Sequence, residues 1–529
     1  MNAASQPRPA AQAPVRVVFR ADASVQIGVG HVMRGLSLAA ALRALGGESH
    51  FVCRAHDGHV GDLIKAQGHR VHLLPKLTLF DDIRLGADWS ADAEQTMQEV
   101  AALRPDWLVV DHYGIDARWE RRAGTAARRQ LVIDDLADRE HDADLLLDQN
   151  LQPAPARYSS RLPARCRTLL GPRFALLRPE FAARRDRQVS RSGKLRRVLA
   201  TAGGVDQTDL MSRVVHAWSG LPDGNRPALA LVVGRDSPNL DALRELCAHH
   251  RDCTLHVQTD RMADLMAESD LMITAAGSVN WERCCLGLPA LLCASAGNQF
   301  DNLVQLARCR TAISIGPAAS IDAASLREWL KRLALRPRLL ERMSRRAAAL
   351  VDGHGAYRVA VVMNGARLAL RPATPADAEL AWRWRNDEAT RRHSIESGPI
   401  ALDQHVAWWR ASLANDHRSL LIAHIGVAAV GVLRLDHDGP AATVSIYLDP
   451  RLTRLGLGQR MLQEGHAWVQ GHRPGTQRLN AVIRTENHAS ARAFAAAGYC
   501  YQPGDGLWVC DLDAIADQAR QRADDHDPN

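Results

Sequence analysis

The chain has 529 residues, 46% hydrophobic and 24% charged, with a formal net charge of +7 and ten cysteines. That is ordinary for a soluble globular protein, and the length suggests about three or four domains. No C-x-x-C pair occurs, no apolar run reaches about 18 residues, and the arginines are scattered beside Asp and Glu without a dense block, which argues against zinc ribbons, membrane spans and nucleic-acid binding.

The first fourteen residues are rich in Ala, Pro and Gln and lack the apolar core of a signal peptide. A strand is expected at Val15–Phe19, then a glycine-containing loop and a helix over Val32–Leu45. Strands at His50–Cys53 and His69–Leu74 flank a helix ending near Gln67, and further strands fall at Asp106–Asp111 and Gln130–Asp134. Strand–helix alternation of this kind predicts a parallel sheet covered by helices. Residues 151–190 read as an irregular Pro- and Arg-rich stretch. Alternation then restarts, with strands at Arg197–Thr201, Ala228–Val233, Thr254–Gln258, Leu271–Thr274 and Pro289–Leu292.

Near residue 365 the pattern changes. Strands at Arg367–Arg371, Ser419–His424, Val430–Asp436 and Ala442–Leu448 follow one another closely, which suggests antiparallel pairing. Half of the twelve Trp lie in this last third, and the tail is polar. The expected layout is a tail at 1–14, two α/β domains at 15–185 and 186–362, a third domain at 366–513 and a tail at 514–529.

The first candidate site lies in RADASVQIGVGHVMR, Arg20–Arg34. Gly28 and Gly30 permit a sharp turn and close ligand approach, and the following helix directs free amides and a positive dipole end at that ligand. The dinucleotide fingerprint is excluded, because Met33 stands at its third glycine. His31, at the helix start, is expected to stay neutral and to serve as a base for a water; the alternative is a histidine that merely caps the helix. The segment resembles the opening of the pseudaminic-acid pathway hydrolases, which release UDP from a 2,4-diacetamido-trideoxy-altrose. That resemblance implies His31 as the general base, with Arg20, Asp22 and Arg34 ordering the loop or binding sugar. Gly35 stands where that family often has Cys. Asp111-His112-Tyr113 resembles a further family segment and makes Tyr113 a candidate for orienting sugar or water. Asp134 and Asp135 are read as loop-structural rather than as metal ligands, and no metal is implied.

In the second α/β unit, Gly203-Gly204 and Gly277-Ser278 each follow a strand, where backbone amides can hold a diphosphate. The series A-A-G-S-x-N-x-E, carrying Asn280 and Glu282, resembles the nucleotide-binding half of two-domain UDP-sugar enzymes such as the lipid II-forming N-acetylglucosaminyltransferase. It implies a ribose-binding role for Glu282, while Asn298 and Gln299 match a segment near sugar or nucleotide.

In the last third, Leu448 precedes the loop Arg454-Leu455-Gly456-Leu457-Gly458-Gln459, whose small residues let amides wrap a pyrophosphate. With Asn487 and the segment ending at Gly498-Tyr499, this resembles the GNAT superfamily of acetyl-CoA-dependent acyltransferases. Thr453 replaces its usual arginine, and Phe494 replaces a tyrosine that often protonates the CoA thiolate, so Tyr499 or Tyr447 is considered for that role. Trp384-Arg385-Asn386 and His405-x-x-Trp408 resemble the pseudaminic-pathway N-acetyltransferase and its relatives.

The expected fold is therefore α/β, with two Rossmann-like domains of the GT-B glycosyltransferase type followed by a mixed α/β GNAT domain. The expected protein is a cytoplasmic, metal-independent bifunctional enzyme that uses acetyl-CoA and a UDP-sugar. A glycosyltransferase, a hydrolase for a legionaminic- or bacillosamine-type sugar, and a non-catalytic nucleotide-sugar sensor stand as alternatives.

Overall fold

The computed structural model describes residues 13–76, 85, 87–151, 155–187, 191–203, 206–235 and 237–514. They fall into two compact units, one of Val15–Arg43 with Gly47–Val359 and one built mainly on Ala360–Asn529. The division lies inside the helix Gly355–Asn364.

The larger unit contains two parallel sheets. The first has β1 (Arg16–Ala21), β2 (Glu48–Arg54), β3 (Arg70–Leu74), β4 (Trp107–Asp111), β5 (Arg129–Ile133), β6 (Leu145–Asp148) and β7 (Arg167–Leu170), in the order 3-2-1-4-5-6-7. The second has β8 (Arg197–Thr201), β9 (Ala228–Val233), β10 (Cys253–Val257), β11 (Leu271–Ala275), β12 (Ala290–Ala294) and β13 (Ala312–Pro317), in the order 10-9-8-11-12-13. The inner strands are continuous apolar runs because helices cover both faces: every residue of β4, WLVVD, is buried, as is every residue of β11. Both sheets have the doubly wound Rossmann order.

The smaller unit holds β14 (Leu368–Pro372), β15 (Arg418–Ile425), β16 (Ala428–Asp438), β17 (Ala441–Leu448), β18 (Arg478–Ala481), β19 (Cys500–Gln502) and β20 (Leu507–Asp511), in the order 14-15-16-17-18-20-19. β14 to β17 pair antiparallel, as their close succession predicts. β17 then pairs parallel with β18, through Ala441–Thr443 alone.

The structure departs from the sequence reading in its strands, where β6, β7, β13 and β18 to β20 are additional, and in its charge. β7 lies inside the stretch expected to be irregular; at four residues it is too short to show periodicity. The positive charge is also less evenly spread than expected, since Lys331, Arg332, Arg336, Arg338, Arg342, Arg345 and Arg346 are all exposed on two successive helices and the turn between them. No helix among the described residues is long and apolar enough to cross a membrane.

Candidate active sites

In each Rossmann-ordered sheet the crossovers reverse direction between the two central strands, which opens a crevice at their carboxyl ends. In the first sheet these strands are β1 and β4, paired so that Ala21 stands opposite Asp111. The loop leaving β1 turns at Ser24, whose side-chain oxygen accepts from the Ile27 amide at 2.9 Å. Gly28 closes the turn at φ +79°, in the left-handed region that favours glycine. Helix Gly30–Ala44 starts at once and carries His31 in its first turn.

His31 Nδ1 lies 2.6 Å from Asp111 Oδ1. The carboxylate can only accept, which favours the proton on Nδ1 and leaves the Nε2 lone pair for a water, although Arg34 Nη2 also lies 2.9 Å from Nδ1. Arg34, one turn further on, grips the same carboxylate, with Nε 2.9 Å from Oδ2 and Nη2 2.7 Å from Oδ1. Its Nη1 donates to Asp135 Oδ2 at 3.0 Å. Burial by itself would raise the Asp111 carboxyl, but Arg34 and His31 outweigh it and hold it below the ordinary carboxylate range. The Tyr113 ring stands edge-on to His31 with centroids 4.6 Å apart, and its hydroxyl donates to Asp135 Oδ2 at 3.1 Å. Burial, then the Asp135 charge, push that hydroxyl up, so it remains a donor.

These groups face a cavity of about 270 Å³. The first sheet's loops contribute Ile27, Gly30, His31, Arg34, Tyr113, Asp135, Gln149 and Asn150; the second sheet's contribute Gly277, Ser278, Trp281, Gln299 and Asn302. Asn302 donates to Asn150 Oδ1 at 3.0 Å between the two sets of loops. An adjoining cavity of about 210 Å³ shares Asp135, Asn150 and Asn302, and adds Asp138, Arg157 and Asp301.

Seven expected residues therefore meet at one cavity: Gly30, His31, Arg34, Tyr113, Gly277, Ser278 and Gln299. Others do not. Arg20 and Asp22 are fully buried, so they support the site from beneath and cannot touch sugar. Arg20 pairs with Asp22 and Asp92, and Asp22 Oδ2 lies 3.4 Å from His112 Nε2. Asn280 is likewise fully buried; it donates to the Ala275 and Gly277 carbonyls and holds the turn behind Ser278. Glu282 is outside the cavity lining and lies 3.6 Å from Arg178. Burial pushes its carboxyl up to about 7 against the pull of Arg178. Gly28 and Gly203 shape their loops from outside the lining, Gly203 at φ +93°. Gly204 and the Asn298 side chain lie outside the described residues.

The aspartate pair divides its roles. Asp134 accepts from the Ala137 amide and the Tyr158 hydroxyl and is loop-structural, as expected. Asp135 instead faces the cavity, a correction to that reading. The sequence assigns no role to Asp111, Trp281 or Asn302, nor to Gln149 and Asn150, although Asp148-Gln149-Asn150 resembles a segment of the hydrolase family. Asp111 was visible within the D-H-Y segment, but its partnership with His31 is tertiary.

In the smaller unit, Val444–Leu448 of β17 have no ladder partner on the β18 side among the described residues, and that open edge runs to Leu448, ahead of the glycine loop. Arg454 and Gly456 both take positive φ, +63° and +86°, which curls the loop into helix Leu457–His472. Leu455 and Leu457 bury their side chains, so any ligand contact they make is through the backbone. A Cβ at Gly458 would stand 3.6 Å from the Ala493 Cβ. The Gln459 side chain donates to the Ala496 carbonyl, and Asn487 caps the helix His488–Ala496. Tyr499 corrects the expectation of an acid facing the thiolate. It is 2% exposed, packed with its ring centroid 4.8 Å from that of Phe494, and its buried hydroxyl has no hydrogen-bond partner among the described residues. Burial pushes that hydroxyl well up. Tyr447, on the open edge of β17, is the alternative: burial raises its hydroxyl against the opposing pull of Arg385 and Arg434. The Arg434 guanidinium lies over the Trp408 ring at 6.0 Å.

Residues 367–499 match the family model described as an acetyltransferase (GNAT) domain. Over 265 residues, 50% of this chain and 86% of the relative, the chain is 25% identical to the UDP-2,4-diacetamido-2,4,6-trideoxy-beta-L-altropyranose hydrolase of Campylobacter jejuni. An uncharacterized protein of Methanocaldococcus jannaschii is 21% identical over 92% of this chain and 96% of its own length. Among solved structures, Acinetobacter baumannii MurG matches with a TM-score of 0.47 and 17% identity, covering 66% of this chain and all of that one. The chain thus joins a Rossmann-type region similar to a UDP-sugar hydrolase to a GNAT acetyltransferase domain.

Proposed function

We propose that the larger unit hydrolyses UDP-2,4-diacetamido-2,4,6-trideoxy-beta-L-altropyranose, and that the smaller unit acetylates the 4-amino group of its UDP-sugar precursor. The two reactions are consecutive in pseudaminic-acid synthesis, which belongs in the cytoplasm beside the acetyl-CoA pool. The observation that carries the hydrolase reading is the His31–Asp111 pair on the wall of a cavity that also receives the Gly277–Ser278 turn. His31 Nε2 takes a proton from water, and the hydroxide attacks the anomeric carbon on the face opposite UDP. The carbon–oxygen bond to the diphosphate breaks, UDP leaves, and the sugar is released with inverted configuration. The Asp111 carboxylate stabilises the imidazolium formed in this step.

Hydrolysis on this reading needs no divalent cation, and EDTA leaves turnover unchanged. Acetyl-CoA binds with its pyrophosphate on the loop from Arg454 to Gln459 and its acyl arm along the open edge of β17. The substrate amine attacks the thioester carbonyl and CoA leaves as the thiol. The test is to incubate the enzyme with the UDP-4-amino sugar, with and without acetyl-CoA, and to identify the products by mass spectrometry and NMR. Acetylation followed by UDP release is expected. Transfer of the sugar to an acceptor in place of water would favour a glycosyltransferase.

A further inference from the structure

The two thiols Cys247 and Cys253 are brought into contact by the second sheet. Cys247 is the penultimate residue of the helix Leu240–Ala248, and Cys253 begins β10, the edge strand. The turn between them is tight: the His250 amide donates to the Cys247 carbonyl at 3.0 Å, and the Cys253 amide to the His250 carbonyl at 3.1 Å. His250 is fixed edge-on against Trp218 at 5.3 Å. The Cys253 Sγ–H donates to Cys247 Sγ across 3.2 Å, with both side chains buried. The spacing C-x5-C carries no redox signature in sequence, and only the fold pairs these residues. Loss of two hydrogens would leave the sulfurs within a small movement of bonding distance.

We propose that Cys247 and Cys253 form a peroxide-sensitive dithiol site that closes to a disulfide and pins the start of β10 to the preceding helix. The Cys253 thiol, by donating to Cys247, favours the thiolate at Cys247, which makes Cys247 the nucleophile. The oxidant is a hydroperoxide, small enough to reach a nearly covered sulfur. Cys247 thiolate attacks one peroxide oxygen, the O–O bond breaks, and the products are Cys247 sulfenic acid and hydroxide. Cys253 sulfur then attacks the Cys247 sulfur, the S–O bond breaks, and the oxygen leaves as water with the Cys253 proton. In sum, two thiols and one hydrogen peroxide give one disulfide and two waters. Closure restricts the unfolded chain, so the oxidised protein should melt higher. The site stands apart from the proposed hydrolytic cavity and does not depend on that assignment.

The full chain is treated with hydrogen peroxide, alkylated and digested with trypsin. Cleavage after Arg244, Arg251 and Arg261 puts Cys247 and Cys253 on different peptides. The expected result is a cross-linked pair, 245–251 with 252–261, that dithiothreitol separates, with a matching reversible rise in melting temperature. In Cys253→Ser, which removes the resolving thiol, dimedone should label Cys247. The exposed Cys309 and Cys500 report that peroxide reached the protein. Oxidation of Cys309 and Cys500 with no cross-linked pair overturns the proposal. Dimedone labelling of Cys253 in Cys247→Ser, without labelling of Cys247 in Cys253→Ser, overturns the assignment of the nucleophile.

Discussion

His31 Nδ1 and Asp111 Oδ1 stand 2.6 Å apart at the carboxyl ends of two neighbouring strands, although 80 residues separate them in sequence. The pairing commits one ring nitrogen and frees the other, which is the arrangement a general base requires. His31→Ala should lower UDP release by at least about 10²-fold. Asp111→Asn keeps a similar shape but removes the charge that stabilises the imidazolium, and a loss of about 10² to 10⁴-fold is expected. Both variants should acetylate at the normal rate. Steady-state UDP release checks this, and a His31→Ala enzyme near full activity would exclude His31 as the base.

Asp135 Oδ2 takes hydrogen bonds from Arg34 and Tyr113 at once, so it fixes two groups on the cavity wall. Charge-assisted hydrogen bonds contribute about 1.5–3 kcal/mol each. Asp135→Asn should therefore cut kcat/KM for hydrolysis by about 10- to 100-fold. Tyr113→Phe removes one donor and should cost less than Asp135→Asn. Equal kinetics for Asp135→Asn and the parent enzyme would return Asp135 to a purely loop-structural role.

His141 is buried against Glu120, with Nδ1 2.7 Å from Oε1. Burial alone would lower the imidazole, but the Asp134 carboxylate, 3.7 Å from Nε2, and the hydrogen bond to Glu120 outweigh it and raise it to about 9. A histidine raised on folding stabilises the protein fully below its unfolded value near 6.5, and that stability is lost as pH rises through about 9. The difference corresponds to about 3 kcal/mol at most. Denaturant midpoints should fall between pH 6.5 and 9, and His141→Gln should flatten that slope. An unchanged slope in the variant would show that His141 is not the titrating group.

The motif Arg20–Arg34 was enough to locate the first site, because a glycine turn followed by a helix leaves few places for the histidine between them. It did not tell contact from support. Arg20, Asp22 and Asn280 look like ligand groups in sequence, yet all three are fully buried in ion pairs or turn hydrogen bonds. Polar residues in such motifs hold the loop as often as they touch the ligand, and only burial separates the two. Glu282 shows the same limit, since its neighbour Arg178 lies 104 residues earlier. The central strands were legible as unbroken apolar runs, whereas β6, β7, β18 and β19, at three or four residues, were too short for any pattern, and β13 and β20 lack an unbroken run of buried residues.

The acetyltransferase unit yields the last prediction, and here the structure reverses the expectation for Tyr499. Its hydroxyl is buried beside Phe494 with no partner among the described residues, which argues against its giving a proton to a departing thiolate. A buried unpaired hydroxyl costs about 1–3 kcal/mol, which Tyr499→Phe removes. That variant should transfer acetyl at the normal rate and melt at the same temperature or higher. Tyr447→Phe should slow transfer with little change in acetyl-CoA affinity, because Tyr447 lies on the open edge of β17. Gly456→Val forces a β-branched residue into φ +86° at the helix start, and Gly458→Val fills the space before Ala493. Both should abolish acetyl-CoA binding by calorimetry while UDP release from pre-acetylated substrate continues. A fragment of residues 364–529 contains all seven strands of its sheet and should fold and bind acetyl-CoA alone. Slowed transfer in Tyr499→Phe with normal transfer in Tyr447→Phe would restore Tyr499 as the acid and place the thiolate inside the Phe494 cluster.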